Sequence, residues 1–335
     1  MKAMVLRERG PIPPDRLRLE DLPKPVPGPG QARVRVSVCA ACRTDLHVIE
    51  AEIPPGKTPL VPGHQAVGVV DGVGPGCSRL GIGERVGIAW LRGTCGICPP
   101  CRAGDENLCE NARFTGHHED GGYAEYAVVP EAYAYRIPDR FPDLQAAPLL
   151  CAGIIGYRAL RRSEVRPGGR LGIYGFGSSA HVTMQVALHR GCEVYVFTRE
   201  EARREQARRM GAAWTGGTLD PSPVPLDGAI LFAPAGDLVP PALRALRWGG
   251  TLALAGIHVT TIPAMEYEPH LFHEKRLTSV TANTRRDGED LLREAASIPI
   301  RPTTCEYPLE EANRALRDLK EGLFEGTAVL RVRPS

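Results

Sequence analysis

The amino-acid sequence predicts an α/β protein of two domains, one rich in β-strands and one built on a doubly wound parallel sheet. Up to about residue 150 the chain is rich in glycine and proline and contains short runs of alternating polar and apolar residues, which indicate half-buried strands. From about residue 170 strand patterns alternate with helix patterns, as is typical of a parallel sheet covered by helices. A chain of 335 residues with 43% apolar residues is sufficient for two cores.

Charge and apolar patterning argue against several classes of function. The 41 basic and 39 acidic residues nearly cancel, so we expect no binding to nucleic acid or membrane, and a small-molecule partner instead. The first residues show no signal-peptide pattern, and the longest apolar run, 146–157, is too short to cross a bilayer. We therefore expect a cytoplasmic protein, in which ten cysteines are better suited to metal binding than to disulfides.

The β-rich part is predicted from the segments "ARVRVSV", "VGVV" and "YAVV", and a polar loop between the last two carries four cysteines, Cys95, Cys98, Cys101 and Cys109. Their C-x₂-C-x₂-C-x₇-C spacing allows a tight turn to direct four thiolates at one Zn²⁺. Four sulfur ligands leave no position for substrate, so this zinc would be structural. The alternatives are a loop of free thiols or an iron–sulfur cluster, although the spacing differs from that of bacterial ferredoxins.

The second half opens with "RLGIYGFGSSAHVTMQVALHR", which predicts a strand, a glycine turn and a helix. Gly175, Gly177 and Ala180 fit the pattern G-x-G-x-x-G/A, whose small residues permit the turn, the approach of a pyrophosphate and helix packing. The diphosphate would lie at the helix N-terminus. Next come a strand "EVYVF", a helix over about 200–210, strands "GAILF" and "TLALAG", helices near 287–297 and 309–320, and a closing strand "TAVLRV".

The residue that ends the second strand of such a sheet selects the cofactor. An acidic side chain there binds the ribose 2′-hydroxyl of NAD(H), whereas arginine accommodates the 2′-phosphate of NADP(H). Here the position holds Thr198 followed by Arg199, which favours NADP(H), with Arg203 as a second cation. Glu200 and Glu201 lie close enough in the sequence to keep NAD(H) as the alternative.

Three further segments, "CRTDLH" (42–47), "PGHQAVG" around His64 and "LLCAG" around Cys151, are weak signals when taken singly, because isolated cysteines are usually small core residues. In order with the cysteine loop, "GGYAEY" and "YGFGSSA", they resemble the zinc-dependent alcohol dehydrogenases of the medium-chain dehydrogenase/reductase family. The resemblance extends to about Val332. It implies a GroES-like catalytic domain over 1–150 and 286–335, and a Rossmann-type nucleotide domain over 151–285.

The resemblance also implies a catalytic zinc held by Cys42, His64 and Cys151 with an open fourth position, giving two zinc ions per chain. The reaction would be hydride transfer between an alcohol and a nicotinamide cofactor, with aldehyde or ketone as product. Thr44 would bind the reacting oxygen and His47 would pass its proton to solvent, since histidine titrates near neutral pH. Relatives form dimers or tetramers, so a homo-oligomer is expected.

Asp45 would orient His64 through its second ring nitrogen, and its alternative role is that of a helix cap. Gln65 departs from the family, which commonly has glutamate after the ligating histidine. The neutral amide removes a negative charge, and we hypothesise that it makes zinc-bound water or alcohol more acidic. Trp90 is expected to pack in the core or to line the substrate pocket, and His117 and His118, on a polar loop, to face solvent.

Two other functions are consistent with the sequence. A polyol or other secondary-alcohol dehydrogenase of the same family would need a more polar pocket, which the sequence does not define. A protein that binds zinc and dinucleotide without catalysis would retain the fold. Retention of Thr44 and His47 together with all three ligands argues against the second alternative, because stability requires neither an open metal site nor a route for protons.

Overall fold

The computed structural model describes residues 1–11, 16–54 and 56–333. Its strands are Lys2–Leu6 (β1), Leu17–Asp21 (β2), Gln31–Ala41 (β3), Ala66–Val73 (β4), Arg85–Ile88 (β5), Leu91–Gly93 (β6), Arg113–Phe114 (β7), Tyr126–Pro130 (β8), Ala134–Arg136 (β9), Arg170–Tyr174 (β10), Glu193–Phe197 (β11), Trp214–Gly216 (β12), Leu226–Leu231 (β13), Leu246–Leu254 (β14), Arg276–Ser279 (β15), Thr304–Pro308 (β16) and Thr327–Arg331 (β17).

The α-helices of the same ranges are Arg43–Ile49 (α1), Pro99–Ala103 (α2), Asp143–Ala146 (α3), Ala152–Arg162 (α4), Ser178–His189 (α5), Glu201–Arg209 (α6), Val239–Ala245 (α7), Arg285–Ser297 (α8) and Ala312–Glu321 (α9). The chain forms two compact units. The first comprises Met1–Cys151, Ala282–Ala296 and Arg301–Ser335, and the second comprises Ala152–Thr281 and Ser297–Ile300. None of the described helices has the length and apolar character needed to span a bilayer.

The first unit is built on a sheet ordered β16-β17-β3-β4-β5-β9, with β8 also paired to β3. Most pairs are antiparallel, and the long strand β3 alternates between buried and partly exposed residues along much of its length, as expected for a sheet with one face in the core. The closing strand β17 lies between β16 and β3. The C-terminal segment therefore completes a sheet begun near the N-terminus.

The second unit contains a parallel sheet ordered β12-β11-β10-β13-β14-β15. The central strands β10, β11 and β13 are almost continuously buried, because helices cover both faces of such a sheet and favour unbroken apolar runs. Tyr174 and Phe197, at the carboxyl ends of β10 and β11, stack with ring centroids 4.3 Å apart. The predicted α/β fold with a parallel doubly wound sheet is confirmed.

Two side-chain contacts lie near the points where the chain leaves and re-enters the first unit. Cys151 belongs to the first unit because its sulfur lies 3.8 Å from that of Cys42. The segment that returns to this unit begins at Ala282, where the Asn283 amide lies 3.5 Å from the Tyr135 hydroxyl. Residues 297–300 group with the second unit.

Candidate metal centres and dinucleotide site

Cys42 lies where β3 ends and α1 begins, and its sulfur points toward two other ligand-type side chains. Its sulfur lies 3.4 Å from His64 Nε2 and 3.8 Å from Cys151 Sγ. The ligand atoms of the three residues all lie within 4.8 Å of one another. The sequence-predicted set Cys42, His64 and Cys151 is thus brought together from three distant parts of the chain.

These separations fit a tetrahedral zinc. With Zn–S distances of about 2.3 Å and Zn–N of about 2.0 Å, the edges of a tetrahedron are about 3.8 Å between two sulfurs and about 3.5 Å between sulfur and nitrogen. The Cys42–Cys151 and Cys42–His64 separations are 3.8 Å and 3.4 Å. The donors, two thiols and one imidazole, are those that zinc prefers.

Asp45 contacts two of the three candidate ligand residues, Cys42 and His64. Its carboxylate accepts a hydrogen bond from the Cys42 backbone N–H (2.8 Å) and lies 3.2 Å from His64 Nδ1. The side chain is 1% exposed. It therefore closes the first turn of α1, as an N-terminal capping residue does, and at the same time fixes the orientation of the His64 ring.

Burial and the neighbouring charges act in opposite directions on the ionisable groups of this cluster. Burial acts to lower the pKa of His64, but the Asp45 carboxylate and the Cys42 sulfur outweigh it and raise the pKa to about 10. A hydrogen bond from the Cys151 thiol lowers the pKa of Cys42, which favours a thiolate there. Metal binding requires deprotonated ligands, and the lowered pKa of Cys42 favours this.

Gly63 and Gln65 flank His64 and are enclosed. Gly63 has φ +93°, and a Cβ there would lie 2.3 Å from the Tyr123 ring, so only glycine allows this turn. Gln65 is 0% exposed, and its amide donates to the Ala40 carbonyl at 3.4 Å. Its Oε1 is buried without a hydrogen-bond partner in the described part of the chain.

Thr44 and His47 lie one turn apart on α1 and hence on one face of the helix. The Thr44 backbone N–H donates to the Cys42 sulfur. The His47 ring is bound through Nδ1 by the carboxylate of Glu52, in the loop that follows the helix. Glu52 was not identified from the sequence, because its contact depends on how α1 ends.

The four-cysteine loop forms a second cluster. Cys95 Sγ lies 3.6 Å from Cys109 Sγ and 4.0 Å from Cys101 Sγ, and the sulfurs of all four cysteines, Cys98 included, lie within 4.8 Å of one another. Backbone N–H groups of Ile97 and Cys98 lower the pKa of Cys95 to about 6. Four sulfurs at these separations fit a closed tetrahedral zinc site.

Glu106, within this loop, ties it to a distant segment. The side chain is buried, and its carboxylate accepts hydrogen bonds from the Arg285 backbone N–H (2.8 Å) and Nη2 (2.7 Å). The Arg285 guanidinium also lies 4.8 Å from the centre of the Tyr133 ring. Sequence reasoning missed this pair, since nothing local relates the two residues.

Aromatic rings continue from His64 toward the polar loop. The Trp90 ring meets His64 edge-on at 5.0 Å and stacks on Phe114 at 4.9 Å. His117 packs against the other rings at 5.9 Å from Trp90 and is only 5% exposed, and burial lowers its pKa to about 4. The expectation that His117 faces solvent is therefore wrong, whereas His118 is partly exposed.

The glycine turn in the second unit has the geometry that the sequence predicted. Gly175 follows β10 with φ +87°, and a Cβ there would lie 2.9 Å from the Ala233 nitrogen. Gly177 precedes α5, and a Cβ there would meet nothing within 4 Å, so space remains on that side for a ligand. Ala180 is fully buried in α5. Free backbone N–H groups at the start of α5 are suited to a diphosphate.

The end of β11 carries a hydroxyl and two cations. Thr198 is 2% exposed and donates to Glu200 at 3.4 Å, while Arg199 is exposed and has no ion-pair partner within the described ranges. Arg203 donates to the Phe176 carbonyl in the glycine turn at 3.3 Å and pairs with Glu200. The segment that follows β11 therefore carries the exposed Arg199 cation next to the Glu200 carboxylate.

Comparison with known proteins agrees with this geometry. Residues 28–139 match the family model described as the alcohol dehydrogenase GroES-like domain. A Mycobacterium tuberculosis protein named as an alcohol dehydrogenase, AdhA, is 51% identical over 98% of this chain and 97% of its own length. The chain belongs to the alcohol dehydrogenases of the medium-chain dehydrogenase/reductase family.

Solved structures of this alcohol dehydrogenase family share the whole fold. The crystal structure of an NAD-dependent alcohol dehydrogenase has a TM-score of 0.88 at 27% identity, covering 99% of this chain and 100% of the other. A cobalt- and zinc-bound thermostable alcohol dehydrogenase from Pyrobaculum aerophilum has a TM-score of 0.87 at 26% identity, with 99% of each chain covered. The predicted GroES-like and Rossmann-type architecture of an alcohol dehydrogenase is thereby confirmed.

Proposed function

We propose that this alcohol dehydrogenase is zinc-dependent and prefers NADP(H), interconverting alcohols with aldehydes or ketones. The observation that carries the proposal is the convergence of Cys42, His64 and Cys151 at tetrahedral separations. Three donors converge there among the described residues, whereas zinc takes four. The set therefore suits a catalytic ion with one position open to substrate.

A zinc ion in this site would polarise the alcohol oxygen and lower its pKa toward neutrality. The protein's own groups would do the rest. Asp45 keeps His64 in the ligating orientation through its 3.2 Å contact. Thr44, two residues after the Cys42 ligand, would hold the substrate hydroxyl. His47 would take up the released proton and pass it to solvent.

The second cluster, Cys95, Cys98, Cys101 and Cys109, would hold a structural zinc, because its four sulfurs fill the tetrahedron. We assign the dinucleotide to Gly175, Gly177 and Ala180, with Thr198 and Arg199 at the adenosine ribose. The carboxylate that selects NAD(H) is replaced by Thr198, and the exposed Arg199 is suited to a 2′-phosphate. The hydride would pass between the carbinol carbon and the nicotinamide ring.

Two further expectations belong to this proposal. Domains over 1–150 with 286–335 and over 151–285 would carry catalysis and dinucleotide binding, respectively. The protein would act in the cytoplasm as a homo-oligomer, a dimer or a tetramer. Sedimentation velocity of the purified chain tests the oligomeric state, and a monomer at micromolar concentration would contradict it.

Metal analysis coupled to a substrate screen tests the function. We expect two zinc ions per chain and turnover of alcohols or aldehydes with NADP(H) faster than with NAD(H). The variant Cys42→Ser should retain one zinc ion and lose turnover. A wild-type protein that holds two zinc ions and both cofactors yet turns over no alcohol, aldehyde or polyol would instead be a binding protein without catalysis.

A further inference from the structure

The loop after α1 carries Glu52, whose carboxylate contacts the ring of His47 on that helix. The helix ends at Ile49, and Ala51 adopts φ +64°, a left-handed conformation that is unusual for a residue other than glycine. This reversal allows the Glu52 backbone N–H to donate to the His47 carbonyl at 3.0 Å. The Glu52 side chain then binds the His47 ring.

This contact determines where the imidazole carries its proton. A carboxylate only accepts hydrogen bonds, so the ring nitrogen facing Glu52, Nδ1, must be the one that donates. In a neutral imidazole the other nitrogen, Nε2, is then an acceptor with a free lone pair. The His47 side chain is 17% exposed and that of Glu52 is 54% exposed, so the pair lies between the protein interior and water.

We propose that Glu52 is a positioning residue for the proton exit, holding His47 in the tautomer that accepts at Nε2. The inference rests on the proposed function, in which His47 receives the alcohol proton. The proton arrives at Nε2, and the ring becomes an imidazolium whose charge the Glu52 carboxylate balances. The Nε2–H bond then breaks and that proton passes to water, while Nδ1–H stays hydrogen-bonded to Glu52, so the ring returns to its starting tautomer. Glu52 would act here as the aspartate does in a Ser-His-Asp triad, where the carboxylate binds Nδ1–H and fixes the tautomer of the histidine.

Other charged groups nearby have different partners. Helix α9 packs on α1, and its Lys320 binds Glu50 at 2.6 Å. Arg43, at the start of α1, is exposed, and Asp45 is committed to His64 and Cys42. In the described part of α1 and the loop that follows it, the carboxylate that contacts the His47 ring is that of Glu52.

Variants at Glu52 in two backgrounds test the role. Glu52→Ala should lower kcat for alcohol oxidation about tenfold, as loss of an orienting partner commonly does, and leave KM within about twofold. Glu52→Gln should retain most of kcat, because its amide oxygen still accepts from Nδ1. In a His47→Gln background the same Glu52→Ala change should cost nothing more, and Glu310→Ala, an exposed control, should have no effect.

A spectroscopic measurement separates this proposal from the proposed function. Long-range ¹H–¹⁵N correlation spectra report the tautomer of each histidine whether or not the protein turns over alcohol. We expect His47 with its proton on Nδ1 in the wild type and a shift toward the Nε2–H form in Glu52→Ala. An unchanged tautomer, or a Glu52→Ala loss that persists in the His47→Gln background, would overturn the inference.

Discussion

Arg199 is the side chain whose replacement should change cofactor preference most. If the proposed NADP(H) site is right, its removal would take away a charge-assisted contact to the 2′-phosphate, which is worth about 1.5–3 kcal/mol. Arg199→Ala should therefore lower kcat/KM for NADP⁺ by about tenfold or more and change that for NAD⁺ little. Steady-state kinetics with both cofactors provide the measurement.

Arg209→Ala supplies the matched control for that experiment. Arg209 lies on α6, in the same unit, with its side chain 62% exposed and a single long ion pair to Glu205 of 3.7 Å. Its removal should change neither cofactor constant, because exposed pairs contribute little. A wild-type enzyme that already uses NAD⁺ better than NADP⁺ would show that Glu200, rather than Arg199, selects the cofactor.

Individual side chains mark the limit of sequence reasoning about the site. Cys42, His64 and Cys151 were identified through an ordered set of motifs, and the geometry brings them together. Glu52 was missed because no local pattern indicates that Ala51 adopts a left-handed backbone conformation and reverses the chain direction. His117 was misassigned because its burial comes from Trp90 and neighbouring loops, whereas its own segment is polar.

Helices α4 and α5 meet through a glycine, and this contact makes a test of packing in the second unit. A Cβ added at Gly156 of α4 would lie 2.1 Å from Thr183 Oγ1 and 3.0 Å from the Ser179 carbonyl of α5. Gly156→Ala should therefore destabilise the protein by about 1–3 kcal/mol through overpacking, although alanine has the higher helix propensity. Denaturant unfolding of both proteins measures the difference.

The second substitution Thr183→Ala should recover part of that loss. It removes the Oγ1 atom that blocks the new methyl group, leaving the Thr183 Cβ position 3.5 Å from it. Thr183→Ala alone should be mildly destabilising, since it opens a small cavity. If the two changes are strictly additive, the helices do not approach each other as described.

The start of helix α8 shows which helix boundaries the local sequence can predict. Helix α8 was expected from about Asp287 but begins at Arg285, because Thr284 and Asp287 form a reciprocal cap, with bonds of 2.9 Å and 3.2 Å to each other's backbone N–H groups. The T-x-x-D signal is present in the sequence. In contrast, β17 pairs with β3, a strand that lies almost 300 residues earlier in the sequence. No local pattern specifies a partner so distant.

The first unit is assembled from three separate stretches of chain, and its two candidate metal sites should contribute unequally to its stability. The four-cysteine loop is fastened to Ala282–Ala296 by Glu106 and Arg285. Loss of the proposed structural zinc would free this loop and weaken the link between stretches that are far apart in sequence. The three-ligand cluster lies instead where hydrogen-bonded strands and α1 already hold the backbone.

Single cysteine replacements separate the two contributions. Cys98→Ser should lose one zinc ion per chain and lower the melting temperature by about 5 °C or more, a change of roughly 3.5 kcal/mol for a protein of this size. Cys42→Ser should also lose one zinc ion, abolish turnover and lower the melting temperature less, because its surroundings remain hydrogen-bonded. Mass-spectrometric metal analysis and scanning calorimetry of the same samples provide both numbers. Equal thermal losses in the two variants would show that the cluster of Cys42, His64 and Cys151 also holds the fold together.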